Sequence, residues 1–217
     1  METLIQGELR VSSKIVVVDY GMGNLWSVTS ALRFLGANCI TSGEPDGVQT
    51  ADVLILPGVG SFRKAMHTLT DRRLIDPLRE AVEIRQRKIL GICLGFQLMA
   101  DSGTEEGYTS GLGLIAGAVE RFSPDEVQGR KIPHIGFNRV TIPGDTPAFS
   151  GFSDEACFYF VHSYRLLSGK LTGQIALCNH GINFVAAYQQ DNIFGTQFHP
   201  EKSQTNGLRF LSNFLKV

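Results

Sequence analysis

The sequence predicts an α/β protein, a single domain on a mostly parallel central sheet flanked by helices, with antiparallel additions in its second half. Three observations predict it. Short continuous apolar runs alternate with amphipathic stretches of helical length over roughly the first hundred residues. The strand-like runs are punctuated by glycine or proline. After Leu112 the pattern changes to short strand-like runs between Gly, Pro, Asn and Ser.

Taken in order, residues 14–20 (KIVVVDY) form an apolar run ending in a Gly-rich turn, as suits a strand buried on both faces. Residues 24–36 then set Leu25, Val28, Leu32 and Leu35 on one helical stripe, with Gly36 as the stop. Residues 51–58 (ADVLILPG) read as a second buried strand. A helical stretch follows from about Ser61 to Gln86, with breaks expected near Asp71 and Pro77. Residues 88–93 (KILGIC) are a third buried strand, and LGFQLMAD starts a helix directly after it. Strands separated by helices of this length imply βαβ units. In the second half CFYFVHSY, IALCN and FVAAYQQ read as strands joined by turns. NIFGTQFHP ends one more strand, and residues 206–215 close the chain as an amphipathic helix.

At 217 residues the chain can bury a full core. Its apolar and charged fractions, 43% and 19%, are those of an ordinary globular protein, and the formal net charge is −1 with Lys and Arg scattered. A nucleic-acid or membrane-surface role needs a concentrated basic face and is excluded on that ground. No apolar run approaches the roughly 20 residues that cross a bilayer. The N-terminal stretch lacks the apolar segment of a signal peptide, so a cytoplasmic location is expected. Residues 1–13 read as a leader or disordered extension, and residues 14–217 as the domain. Four cysteines without paired spacing are expected to be reduced. Cys39, Cys157 and Cys178 sit in apolar contexts and read as small buried hydrophobes.

Cys93 is different. GICLG places it at the centre of a G-x-C-x-G turn between a buried strand and a helix, with Gly91 and Gly95 on either side. The chain must reverse within about one residue, which strains the central residue and exposes its sulfur at the carboxyl end of the sheet. This is a nucleophile elbow with Cys in place of Ser. A helix N-terminus beside the sulfur also favours the thiolate.

A thiolate attacking an amide needs a proton donor for the leaving amine. Of the five histidines, His67 lies among charged neighbours in a helical stretch and is expected to face solvent. His199 closes the run GTQFHP, and Glu201 follows two residues on, on the same side if the segment is extended. A carboxylate there can fix the imidazole tautomer and support the imidazolium. The developing oxyanion needs donors as well. The amide of Leu94, just after the nucleophile, is one, and the turn Gly58-Val59-Gly60 after a strand offers another. That turn lacks the Lys and Ser/Thr of a phosphate-binding loop. His134, His162 and His180 lack ligand spacing, so neither a metal nor any other cofactor is expected.

PGVG, GICLGFQL and QFHPEK, in that order, resemble the class I (triad) glutamine amidotransferases, whose fold is flavodoxin-like, over nearly the whole chain. Within the class the sequence most resembles the glutaminase subunits of imidazole glycerol phosphate synthase. The matching stretches are residues 20–28 (YGMGNL…SV), 56–66 (LPGVGSF…AM), 111–114 (GLGL), 132–138 (IPHIGFN), 159–164 (YFVHSY) and 195–203 (GTQFHPEKS). The resemblance implies Cys93 as nucleophile, His199 as general acid and base, Glu201 as its orienter, and Gly58, Val59 and Leu94 around the oxyanion. It implies Gly60, Gln97, Glu105, His162 and Ser163 around bound L-glutamine; Glu105 suits the substrate's ammonium. It further implies a heterodimer with a (β/α)8-barrel cyclase subunit of histidine biosynthesis. That subunit would receive ammonia through its interior and make imidazole glycerol phosphate and AICAR. Pro133, His134, Phe137, Asn138 and Lys202 would face the barrel. The family usually has Trp where this chain has Phe137, which keeps an aromatic anchor but loses the indole N–H. Three alternatives stay open: a paralogous subunit feeding another acceptor such as a surface-sugar enzyme, a free-standing γ-glutamyl cysteine hydrolase, and a silent binding module. An intact Cys93, His199 and Glu201 set argues against the last.

Overall fold

The structure, a computed structural model, describes residues 13–144, 146–169 and 171–217. The expectation for residues 1–13 therefore lies, but for Ser13, outside the described residues. The first half follows the expected alternation. Strands β1 (Ile15–Val18), β2 (Cys39–Ser42), β3 (Val53–Gly58) and β4 (Lys88–Cys93) are interleaved with helices α1 (Leu25–Phe34), α2 (Pro45–Gln49), α3 (Phe62–Asp71) and α4 (Ile75–Arg79). The second half adds α5 (Leu94–Leu98) and strands β5 (Ala100–Gly103), β6 (Thr109–Ser110), β7 (Ile115–Arg121), β8 (His134–Thr141), β9 (Glu155–His162), β10 (Tyr164–Leu166), β11 (Gln174–His180), β12 (Ile182–Gln190) and β13 (Ile193–Thr196). Helix α6 (Gln204–Lys216) follows them.

Two sheets result. The larger has nine strands in the order β2-β1-β3-β4-β13-β12-β11-β8-β9; the first five run parallel and the rest antiparallel. β1, β3 and, after its half-buried first residue Lys88, β4 are buried inside its parallel half, which is why they carry no polar alternation. Alternate residues of β1 feed opposite faces. Ile15 and Val17 pack with Val28 and Leu32 of α1 and with Phe210 and Phe214 of α6, while Val16 and Val18 pack with Phe62 and Leu69 of α3 and Leu78 of α4. Each fully buried phenylalanine contributes about 2–3 kcal/mol of transfer free energy.

The smaller sheet, β10-β7-β5-β6, was not expected from the sequence. α5 is only five residues long, and Ala100 and Asp101, read as helix, already belong to β5. The chain passes from β9 of the large sheet to β10 of the small one across the single residue Ser163. Pro77 does not break a helix. It sits in the first turn of α4, where its missing N–H has no partner to lose, and the chain runs on into a π turn, Glu80–Ile84. Cys39 and Cys178 are buried as expected, with burial pushing the Cys178 thiol up to about 12. Cys157 is exposed instead. On β9 the even positions Phe158, Phe160 and His162 face the core, which turns 157 outward. His67 is exposed, as expected.

Candidate active site

Gly58 ends β3 and pairs in register with Cys93 at the end of β4, so the turn after β3 and the elbow after β4 open on one edge of the sheet. Cys93 has φ 53° and ψ −108°, a strained conformation for a side chain other than glycine. The flanking glycines make it attainable. A Cβ on Gly91 would lie 2.7 Å from the Phe96 Cα, and one on Gly95 would overlap the Leu56 carbonyl oxygen of β3. With five residues, α5 aligns few peptide dipoles on the sulfur, so the helix contributes less to the thiolate than its position promises.

β13 is the neighbour of β4, with Thr196 opposite Ile92, and the chain beyond it carries His199 into the same edge. The strand ends at Thr196, and His199 caps a short 3-10 turn, Pro200–Lys202. The expected pairing with Glu201 holds by way of this turn rather than by an extended segment. His199 Nδ1 lies 2.8 Å from Glu201 Oε1, with the two side chains 3% and 2% exposed. The turn is pinned where the Ser203 hydroxyl donates to the His199 carbonyl at 2.6 Å and accepts from the Tyr159 N–H at 2.9 Å.

Burial acts most strongly on His199 and opposes its charge. The negative charge of Cys93, followed by the bond and charge of Glu201, outweighs it and raises the imidazole to about 10. Its Nε2 is buried without a hydrogen-bond partner, the nitrogen left for a leaving group or water.

Cys93, Leu94, Val59, Gly60, Gln97, Glu105, His162, Ser163 and His199 line one cavity of about 370 Å³. Gly58 lies buried behind it, with the unpartnered hydroxyl of Tyr20 where a side chain at 58 would stand. Val59 is 44% exposed at the rim. Glu105, from the loop between β5 and β6, accepts the Phe62 N–H at 2.7 Å; burial raises its carboxyl, that hydrogen bond opposes the rise, and Glu106 adds to it. Both N–H bonds of the Gln97 amide are spent inside the protein, on the Tyr164 carbonyl and on Gln197 Oε1, each at 2.9 Å. Only its carbonyl oxygen is left for a ligand.

His162 lies on the wall with both ring nitrogens engaged. Nδ1 must donate to the Tyr164 carbonyl (2.8 Å), so Nε2 accepts from His134 Nδ1 (3.1 Å), and His134 Nε2 in turn accepts from the Asn138 amide (3.2 Å). Burial depresses both rings, His162 to about 3 and His134 to about 4, and both are neutral at pH 7. His134, expected on the partner-facing surface, is buried in this chain of hydrogen bonds because even positions of β8 and β9 face inward. Pro133, Phe137 and Lys202 are exposed, and Asn138 is half-buried. The Phe137 ring packs edge-on to Tyr159 at 5.6 Å, and Lys202 Nζ stands 6.0 Å over the Tyr159 ring. Sequence reasoning missed Gln197, Tyr164, Val161 and the cavity role of Pro133. Gln197 stands two residues before His199, and only that spacing pointed to it.

The family model for class-I glutamine amidotransferases matches residues 16–217. The chain is 44% identical over 203 residues to the imidazole glycerol phosphate synthase subunit HisH 2 of Vibrio vulnificus (strain YJ016), covering 93% of this chain and 94% of that one. It is 44% identical over 205 residues to the HisH subunit of Geobacillus thermodenitrificans (strain NG80-2), covering 94% and 95%. Among solved structures, PurLQS from Thermotoga maritima superposes with a TM-score of 0.73 at 21% identity, over 94% of this chain and 98% of that one, a likeness of fold. With a strained cysteine and a carboxylate-bound histidine on one cavity and a family match over nearly its whole length, the chain belongs to the class-I glutamine amidotransferases.

Proposed function

We propose that the chain is the glutaminase subunit of imidazole glycerol phosphate synthase, hydrolysing glutamine to glutamate and ammonia. The observation that carries this reading is the meeting of Cys93 and the His199–Glu201 pair at one cavity. The HisH relatives, matched along nearly their full length, support the choice within the family.

In the mechanism, the Cys93 thiolate adds to the side-chain amide carbon of glutamine. The oxyanion is held by N–H groups of Leu94 and the Gly58-Val59 turn. His199, charged at neutral pH, protonates the departing ammonia through Nε2, leaving a γ-glutamyl thioester. The neutral imidazole then takes a proton from water, hydroxide adds to the thioester, and glutamate leaves as the thiolate returns. Glu201 holds the imidazole throughout. Gly60, Gln97, Glu105 and Ser163 surround the substrate, Glu105 taking its ammonium, and His162 closes the wall with its ring face.

The ammonia passes to a (β/α)8-barrel cyclase subunit docked as a heterodimer at Pro133, Phe137, Asn138 and Lys202. Residues 14–217 form the amidotransferase domain, and the complex works in the cytoplasm. No helix among the described residues is long and apolar enough to cross a membrane.

Two measurements test the reading. A glutamine-mimicking electrophile should label Cys93 and nothing in Cys93→Ala; labelling of another cysteine rejects the nucleophile. Ammonia release should rise when the cyclase subunit is added, and fall back with Phe137→Ala as docking weakens. Equal rates with and without the cyclase reject the two-subunit reading.

A further inference from the structure

Gln197 follows β13 directly, and the parallel pairing of Thr196 with Ile92 sets it level with Cys93. Its side chain is fully buried, although burying an amide has a cost unless each polar atom finds a partner. Its partners are specific: Oε1 accepts from Gln97 Nε2 at 2.9 Å, and Nε2 donates to the Cys93 sulfur at 3.6 Å.

The direction of that last bond follows from the neighbours rather than from an assigned amide orientation. The Tyr164 carbonyl can only accept, so the Gln97 atom 2.9 Å from it is the nitrogen. That same nitrogen faces Gln197 at 2.9 Å and requires an oxygen there. The Gln197 amide nitrogen is thereby left pointing at the sulfur, since the flipped amide would set one nitrogen against another. The Val161 carbonyl, 3.9 Å from the sulfur, suits a thiol and offers nothing to an anion.

We propose that Gln197 is a catalytic residue whose side-chain N–H holds the Cys93 sulfur in its reactive form, and that Gln97 is a positioning residue fixing the Gln197 amide. The inference rests on Cys93 being the nucleophile. With so short a helix behind the elbow, the Gln197 N–H is the donor on the sulfur, and the His199 imidazolium adds its charge nearby. The bond also limits rotation of the sulfur, keeping it on the cavity side of the strained residue. Gln97 thus has two duties, a carbonyl toward the substrate and an amide toward Gln197.

The test is the alkylation rate of Cys93 by iodoacetamide in the full-length chain, followed by peptide mapping at pH 6 and pH 9, beside glutaminase kinetics with the cyclase present. Gln197→Met conserves volume and removes the donor. It should slow alkylation about tenfold at pH 6, the size one hydrogen bond to a charged acceptor supports, with the gap closing to within about twofold at pH 9, where a thiol ionises unaided. The kcat should fall about tenfold with KM changed less than about threefold. A purely structural role would move the rates at both pH values alike. Equal rates at pH 6, or an equal loss at both, overturn the proposal. If Gln197→Met does not fold, Gln97→Met is read instead: alkylation at pH 6 should slow about threefold or more, and an unchanged rate is equally fatal. Failure of the parent protein to alkylate preferentially at Cys93 would mark the error in the nucleophile rather than in Gln197.

Discussion

Replacing Glu201 by Gln separates the charge of the carboxylate from its shape. Only one of its oxygens, Oε1, holds the histidine, at 2.8 Å; Oε2 is buried without a partner. The substitution therefore breaks no second bond. Both side chains are almost completely removed from solvent, so water does not screen the loss. A charge-assisted hydrogen bond stabilises by about 1.5–3 kcal/mol and a neutral one by about 0.5–1.5 kcal/mol. The charge alone thus accounts for about 1–1.5 kcal/mol, close to tenfold in rate. Because neither amide orientation finds a partner at the Oε2 position, the amide can turn its N–H toward Nδ1 and invert the tautomer. In serine enzymes that error costs about 10⁴-fold. For Glu201→Gln the expected loss in kcat/KM lies between about 10-fold and 10⁴-fold, measured as glutamate production with the cyclase saturating. The midpoint of the His199 NMR titration should also move down from about 10. A kcat/KM within threefold of the parent, in a protein melting at the parent's temperature, would refute the role of Glu201.

Stability should peak near pH 6.5 in its histidine-dependent part. His199, raised in the folded state from 6.5 to about 10, contributes stability that is complete below pH 6.5 and lost as pH rises through 10. His162 and His134, depressed to about 3 and about 4, act in the opposite sense. The unfolded chain takes up their protons first, so stability falls as pH drops below 6.5 toward those values; a melting temperature that climbs from pH 6.5 to pH 5 would contradict both. Gly95→Ala should lose about 3 kcal/mol or more by chemical denaturation, because its Cβ would meet the rigid carbonyl of Leu56. Gly144→Ala, with open space at its Cβ, should stay within about 0.5 kcal/mol. Tyr20→Phe removes a hydroxyl that is buried without a partner, so the folded state should be unchanged or more stable by up to about 1 kcal/mol. A loss of more than that would mean the hydroxyl is bonded.

β1, β3 and β4 were legible because strands buried on both faces show as unbroken apolar runs, and the elbow because its glycines and cysteine are adjacent in the chain. The small sheet was not legible. β5 reads ADSG, with one apolar side chain, and its pairing with β7 and β6 is decided by what lies next to it in space. His199 and Glu201 were found for a reason that was partly wrong, since a turn, not a strand, brings them together. The hydrogen-bond chain through His134 and His162 joins β8 to β9, 28 positions apart, and the Gln97–Gln197 bond spans 100. Local patterns carry no trace of such distances, and the exposure of Cys157 likewise depends on which face of β9 the core selects.

The corner at Ser163 gives the cavity two owners. Cys93 ends a strand of the nine-stranded sheet and His199 follows another, while Glu105 comes from a loop and Tyr164 from a strand of the four-stranded one. A glutamine clasped by its ammonium at one end and attacked at the other would act as a strut between them, stiffening the lesser sheet whenever the site is filled. Slower amide deuteration of β5 and β7 on ligand binding would be the trace of that brace.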